Sequence, residues 1–441
     1  MSTYDSHRGG LEETSKERRV ERPSSAKNKR DRPKHMNPLQ AGIQNFVINN
    51  LSSSVLSANG ITREALFSSL PKRFTVYQPL LLLPANAFSS PPAWGTICRD
   101  LDNDQRVTLY ASIAAAFSSM GVTHVAINAP IEARNDTGRE NRMRSPTGLV
   151  PLYGDFGPFP QSGDREEQQP TSADFASAFW VHTSQNGGIF QTWAPLHTMF
   201  SRGNITEKAR ILGQGIRFDG LDEGTLKGEK VQDISVVDMY AGIGYFVFSY
   251  LKRGVKRVWG FEINGWSVEG LRRGCIKNGW GCKVVQIHDD GTLEGGLQKL
   301  VDELSDAHRV VIFHGDNKFA ADILGQVKDF MEPRGSWNSV RHVNLGLLPT
   351  SKPAYECAYR LLDRRYGGWA HVHENVDIRE IDQKKNNILG EFQSLSTLLD
   401  KKSISPGSLA SMQCQHVEQV KTYAPGVMHC VFDIELIFGD S

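Results

Sequence analysis

The stretch VVDMYAGIGYFVFSYLKRG, Val236–Gly254, decides the fold. An apolar run meets Asp238, a turn with Gly242 and Gly244 follows, and the segment after it has helical periodicity. Strand, glycine turn and helix in this order are the opening of a Rossmann-type sheet, where helix-start amides hydrogen-bond the polar end of a ligand. The next apolar run, Arg257–Glu262, ends in a carboxylate twenty positions after Gly242. A carboxylate there can accept both hydroxyls of a ribose. The third glycine of the dinucleotide fingerprint is missing, because Phe246-Val247 follow Gly244. Three readings stand: a turn without ligand, NAD, and S-adenosyl-L-methionine (AdoMet). Asp238, both glycines and Glu262 together favour AdoMet.

Outward from this stretch, strands and helices alternate from about residue 216 to the end. Arg309–Gly315, His342–Pro349 and Gly367–Val376 read as further strands, and Ser267–Lys277 as a helix. The final segment VEQVKTYAPGVMHCVFDIELIF reads as two β-runs around a Pro-Gly turn. The fold class expected is α/β: a Rossmann-like class I AdoMet-dependent transferase domain with a C-terminal β-hairpin over 216–441, preceded by a smaller α/β domain over 38–215. Two low-pattern pieces, about 280–308 and 384–412, read as insertions that add no sheet strand. In the first half, Arg73–Pro84 and Val122–Pro130 read as buried strands and Gln105–Gly121 as a helix. Phe159–Phe175 reads as an exposed loop, and FWVHTSQNGGIFQTWAP as a hairpin. Residues 1–37, rich in Lys, Arg, Glu and Ser, read as a disordered basic tail.

Of 441 residues, 39% are hydrophobic and 22% charged, the balance of a globular protein with enough length for two or three cores. No run of about 18 apolar residues exists to span a membrane. The first residues lack the apolar core of a signal peptide. The six cysteines form no C-x-x-C pair, which argues for a reduced cytosolic or nuclear compartment, with cytoplasmic as the expected one, and against a cysteine-built zinc site. A net charge of +1 means that any grip on RNA must come from a local basic patch. EARNDTGRENRMRSP, with Arg139, Arg142 and Arg144, is the best such patch outside the tail; a solvated loop is its plain alternative.

Further candidate residues lie at strand ends. Asp316-Asn317 in FHGDN are placed to bond an adenine, or else to form a turn. VNLGLLPTS places Asn344 at a strand end, where transferases of this architecture often put an acceptor base; an ordinary turn before Pro349 is its plain alternative. MFSRGNITEKARIL gathers Ser201, Arg202, Lys208 and Arg210 just ahead of the Rossmann-like part. Its Asn204 or Thr206 is a candidate N-cap, with Glu207 suiting the first turn. His371 and His373 alternate on one strand face, but no third ligand stands at metal-binding spacing, and no metal is expected.

The segments MFSRGNITEKARIL, DMYAGIGYF, GFEINGWSVEGLRRGCIKNGW, FHGDN, VNLGLLPTS, HVHENV and VKTYAPGVMH, with MRSPTGLVPLYGDFG upstream, occur in the order and spacing of one family. The chain resembles the eukaryotic tRNA wybutosine-synthesising aminocarboxypropyl transferases, relatives of the tRNA guanosine-N1 methyltransferases. The resemblance implies transfer of the 3-amino-3-carboxypropyl arm of AdoMet to the 4-demethylwyosine base beside the anticodon of tRNA(Phe), with methylthioadenosine leaving. It places AdoMet contacts at Ser201, Lys208, Glu262, Asp316 and Asn317, with Asp238, Gly242 and Gly244 building the turn. It makes Glu207 and Asn344 the catalytic candidates and Arg139, Arg142, Arg144 and Arg202 the RNA-binding ones. The run NLGLLP is longer than the methyltransferases' short NLP. Two other classes stay open, a tRNA guanine-N1 methyltransferase and a non-catalytic RNA-binding protein of this fold.

Overall fold

The computed structural model describes residues 36–128, 141, 148–159, 169–185, 187–200, 204–215, 217–400 and 408–439. Residues 1–35 of the basic tail, Arg139, Arg142, Arg144, Ser201 and Arg202 therefore lie outside the described residues.

Residues from Pro38 onward pack as one unit. The N-terminal part opens with helices α1 (Pro38–Asn50), α2 (Ser53–Ala58) and α3 (Arg63–Ser68), then strands β1 (Thr75–Tyr77) and β2 (Leu80–Leu83). Helices α4 (Pro92–Asp100) and α5 (Asn103–Ala116) lead to β3 (His124–Ile127) and β4 (Val150–Tyr153). The four strands form one sheet in the order β1-β2-β3-β4. Its core joins Phe46, Leu81, Trp94, Ile113, Phe117 and Val125. Asp102 and Gln105 close a reciprocal capping box that fixes where α5 begins. A short helix, α6 (Ser172–Ser177), occupies the end of the segment expected as loop. Thr171 and Asp174 cap it reciprocally, a signal the Pro/Ser/Gln-rich flank obscured. The expected hairpin follows as β5 (Val181–Gln185) and β6 (Ile189–Trp193), and then helix α7 (Ile205–Ile211).

The remainder alternates as read from the sequence: β7 (Ile234–Asp238), α8 (Val247–Arg253), β8 (Arg257–Glu262), α9 (Gly265–Asn278), β9 (Gly281–Gln286), α10 (Leu297–Glu303), β10 (His308–His314), α11 (Ala320–Met331), β11 (Ser339–Leu345), α12 (Tyr355–Leu361) and β12 (Gly368–Asp377). Helix α13 (Ile381–Asp400) and the hairpin β13 (Leu409–Ala424)–β14 (Val427–Phe438) complete it. The eight strands lie in the order β13-β14-β12-β11-β7-β8-β10-β9. Only the β12–β14 and β14–β13 pairings are antiparallel. Every residue of β7 is buried, as a central parallel strand covered on both faces requires.

Two expectations are corrected, since neither piece read as an insertion lies outside the sheet: the 384–412 piece ends in Leu409–Met412, the start of β13. Gly281–Gln286 is a sheet strand, paired in parallel with β10, although the 280–308 piece was read as adding none. Its Lys283 and the half-exposed flank of an edge strand hid the apolar pattern. Ile189 of β6 and Ile211 of α7 share an apolar cluster with Val236, Phe248, Val258 and Leu271 of the large sheet's own layers.

Candidate functional site

Chain direction around β7 creates the site. From β7 the chain steps to β8 on one side, while β11 lies on the other, so the carboxyl ends of β7 and β11 flank a topological switch point. Such a point leaves a crevice where open α/β sheets bind ligands. Asp238 and Asn344 end these two strands as direct register partners. Asn344 Nδ2 donates to Asp238 Oδ1 at 3.1 Å, and the Tyr240 amide donates to the same oxygen at 3.2 Å. The other carboxylate oxygen, Oδ2, is buried without a partner among the described residues. Burial pushes the Asp238 carboxyl up to about 7.

The turn after β7 is held by its glycines. Gly242 and Gly244 have φ of +53° and +89°, a region costly for other residues. A Cβ on Gly244 would stand 2.6 Å from the Phe248 ring and 2.8 Å from Leu271. Within the turn the amides of Ala241, Gly242 and Gly244 are bonded internally, to Phe261 O, Glu262 Oε2 and Ala241 O, and the glycines allow close backbone approach. Glu262, at the end of β8, accepts one amide on each oxygen, Gly242 N–H and Asn264 N–H, both at 2.8 Å. A lone pair on each oxygen remains. Burial raises the Glu262 pKa against the pull of these bonds. Asp316 caps the turn after β10 through Lys318 N–H, and Asn317 Nδ2 donates to Met239 O at 2.6 Å. The structure thus brings Asp238, Gly242, Gly244, Glu262, Asn317 and Asn344 to neighbouring strand ends.

Helix α7 adds a buried charged set. Asn204 stands at its N-cap without a side-chain capping hydrogen bond, and its Oδ1 is buried and without a partner among the described residues. Glu207, Lys208 and Arg210 are each 1–2% exposed. Lys208 Nζ donates to Gln185 Oε1 at 3.1 Å and Gln191 Oε1 at 3.3 Å, and lies 5.1 Å from the Tyr245 ring centroid of the glycine turn. No carboxylate pairs with it among the described residues, and burial pushes its ammonium down to about 8. Both oxygens of Glu207 accept from Arg210, at 2.8 and 2.9 Å. Arg210 also donates to Asp433 of β14 at 2.6 Å, and Asp433 Oδ1 lies 2.7 Å from Nδ1 of His371. His371 Nε2 meets Nδ1 of His342, whose Nε2 reaches Gly220 O at 2.7 Å. Burial pushes the Glu207 carboxyl up to about 7, with Arg210 pulling it down. Arg210 and His371 hold Asp433 well below the carboxylate range although burial opposes them.

No family model matches the chain. The tRNA wybutosine-synthesizing protein 2 of Schizosaccharomyces pombe is 36% identical over 369 residues, which cover 83% of this chain and 73% of that protein. This chain belongs to the tRNA wybutosine-synthesizing protein 2 family. The protein of the same name from Saccharomyces cerevisiae is 29% identical over 429 residues, 89% of this chain and 81% of its own. Among solved structures, Pyrococcus horikoshii TYW2 in complex with MeSAdo is similar at TM-score 0.47 and 17% identity, covering 87% of this chain and 97% of that one.

In this member of the wybutosine-synthesizing protein 2 family, Asp433, His342, His429 and Asn375 were missed from the sequence. Each looks like an ordinary strand residue, and only the sheet register brings them together. The available signal was polarity at strand positions that should face a core, in HVNL, HVHENV and VMHCVFD. Among the described residues no helix is long and apolar enough to cross a membrane.

Proposed function

We propose that this chain transfers the 3-amino-3-carboxypropyl group of AdoMet to the 4-demethylwyosine base beside the anticodon of tRNA(Phe), as a step of wybutosine synthesis. Family membership supports the tRNA reaction. The observation that carries AdoMet is a pair of incomplete buried charges flanking the glycine turn. Among the described residues, one carboxylate oxygen of Asp238 has no partner and Lys208 has only neutral acceptors. A free amino-acid end, ammonium and carboxylate together, completes both. Glu262 accepts the ribose hydroxyls, and Asn317 with Asp316 borders the adenine. AdoMet supplies three electrophilic carbons on one sulfonium, and the carbon aligned with the nucleophile reacts. Holding the amino-acid end rigidly between Asp238 and Lys208 leaves the arm's γ-carbon, rather than the methyl, for the base.

Asn344 borders the acceptor base, and its bond to Asp238 ties that position to the amino-acid end. Glu207, with both oxygens on Arg210, positions α7 and thereby Lys208. In the transfer a carbon–carbon bond forms to the base as the carbon–sulfur bond breaks, and the base carbon gives up its proton. The test uses AdoMet labelled in the carboxyl carbon and tRNA from cells blocked at this step. Label in tRNA with methylthioadenosine released is expected. S-adenosylhomocysteine would make the chain a methyltransferase, and neither product would leave it a binding protein.

A further inference from the structure

On the face of the large sheet that carries α7, β7, β8 and β10 contribute Val236, Val258, Val310 and Ile312 to an apolar cluster. Farther along the same sheet, β12 and β14 are polar: His371 pairs with Asp433 in the ladder, and Asn375 with His429. His371 is fully used by His342 and Asp433. His373 and His429 are not. Nδ1 of His373 lies 3.0 Å from Nε2 of His429, while the outer nitrogens, His373 Nε2 and His429 Nδ1, are buried and unpartnered among the described residues. The two residues are 1% and 0% exposed. Asn375 leaves both Oδ1 and Nδ2 buried and unpartnered as well. Buried polar atoms are almost always bonded, so four orphans on three neighbouring residues call for a partner from outside the chain.

Their position says which partner. The His373 ring packs on Phe246 of the glycine turn, with centroids 5.2 Å apart. A Cβ on Gly346, two residues past Asn344, would stand 3.4 Å from that same Phe246 ring. The loop continuing from Gly346 runs along the end of β12, where the Asn375 amide donates to Pro349 O at 2.9 Å. The orphans therefore continue the acceptor side of the crevice.

Their chemistry narrows the partner further. Burial keeps both rings neutral, lowering His429 to about 4 and His373 well below the ordinary histidine value. In a neutral pair sharing one hydrogen bond, one outer nitrogen is a donor and the other an acceptor, and reversing the bridge exchanges them. Asn375 adds an amide donor and an amide acceptor. A phosphate asks for donors and positive charge, and a metal for unprotonated ligands; a heteroaromatic base presents mixed N–H, ring nitrogen and carbonyl groups.

We propose that His373, Asn375 and His429 hydrogen-bond the rim of the acceptor base and select the tricyclic base over guanine. The inference rests on the acceptor reading given under Proposed function. Its test compares binding of tRNA carrying the tricyclic base with the same tRNA from cells that leave guanosine there, together with calorimetry of AdoMet. The variants are Asn375→Leu and His373→Phe, the second keeping a ring against Phe246. The intact protein is expected to prefer the tricyclic tRNA by tenfold or more. Each variant should cut that preference about tenfold, the worth of a lost hydrogen bond or two, without changing affinity for AdoMet or for the guanosine tRNA. An unchanged preference, no preference in the intact protein, or an equal loss of AdoMet affinity would overturn the proposal. Should His373→Phe fail to fold, Asn375→Leu, at the strand's open end, decides alone. Absence of methylthioadenosine release by the intact protein would count instead against the reaction itself.

Discussion

Lys208 shows how a single buried residue carries a testable function. Its ammonium sits among two neutral amides and a tyrosine ring, so its proton is held less tightly than in water. With its pKa lowered to about 8, it binds fewer protons in the folded protein than unfolded between that pH and about 10.4. Its drag on stability is thus fully present below pH 8 and fades as pH rises through that window. A carboxylate beside Lys208 would raise the pKa again, so ligand binding above about pH 8 must take up a proton, and affinity must fall as pH climbs. Calorimetry of AdoMet at pH 8.5 in two buffers of unlike ionisation heat should show proton uptake that Lys208→Met lacks. The same variant should lose roughly a hundredfold in single-turnover transfer, because a displacement of about 1 Å has that cost. Equal proton counts and near-intact turnover would remove Lys208 from the ligand and leave it a helix residue buried for packing.

At the scale of elements, α7 is fastened to the C-terminal hairpin by one guanidinium shared between two carboxylates. Arg210 bonds Glu207 on its own helix and Asp433 across the sequence on β14. Removing the cation would leave two buried negative charges facing each other, and breaking such a set costs about 3–5 kcal/mol. Arg210→Met should therefore lower the unfolding free energy measured by urea titration by that amount, with Glu207→Gln milder because an amide keeps a hydrogen bond. A change in Arg210→Met of under about 1 kcal/mol would mean that α7 is held by Ile211 and its apolar neighbours alone. This fastening also explains what the sequence could and could not tell. Asp238, the glycine turn and Glu262 were legible because local chemistry fixes them: a strand end, two positive φ angles, and a carboxylate one strand later. The hairpin was legible from its Pro-Gly turn. Helix α13 was not, since only Ile388, Phe392 and Ser396 are buried along its 20 residues, too narrow a stripe to stand out. Asp433 and His429 were illegible for another reason. Their meaning depends on which residue of β12 lies opposite, and register between distant strands is set by the whole sheet.

For the molecule as a whole, the tRNA has to be held by a chain with 50 basic and 49 acidic residues. Overall attraction is negligible at that balance, so binding depends on how the charges are placed. Several described cations are already committed: Arg210 to Glu207 and Asp433, Arg257 to backbone carbonyls, and Arg272 and Arg273 to Glu269. We propose that the phosphate contacts come from Arg139, Arg142 and Arg144, with Arg202. If this segment meets roughly four to six phosphates, log K for tRNA should fall with log salt at a slope of about −4 to −5. Replacing Arg139, Arg142 and Arg144 by Gln together should flatten the slope by about 2 to 3 while leaving AdoMet affinity unchanged. Filter binding across a salt series measures it. A shallow slope in the intact protein would mean that recognition rests on the base and its neighbours, with the arginine segment a solvated loop; a steep slope that survives the triple replacement would move the phosphate contacts to other cations, the basic tail first among them.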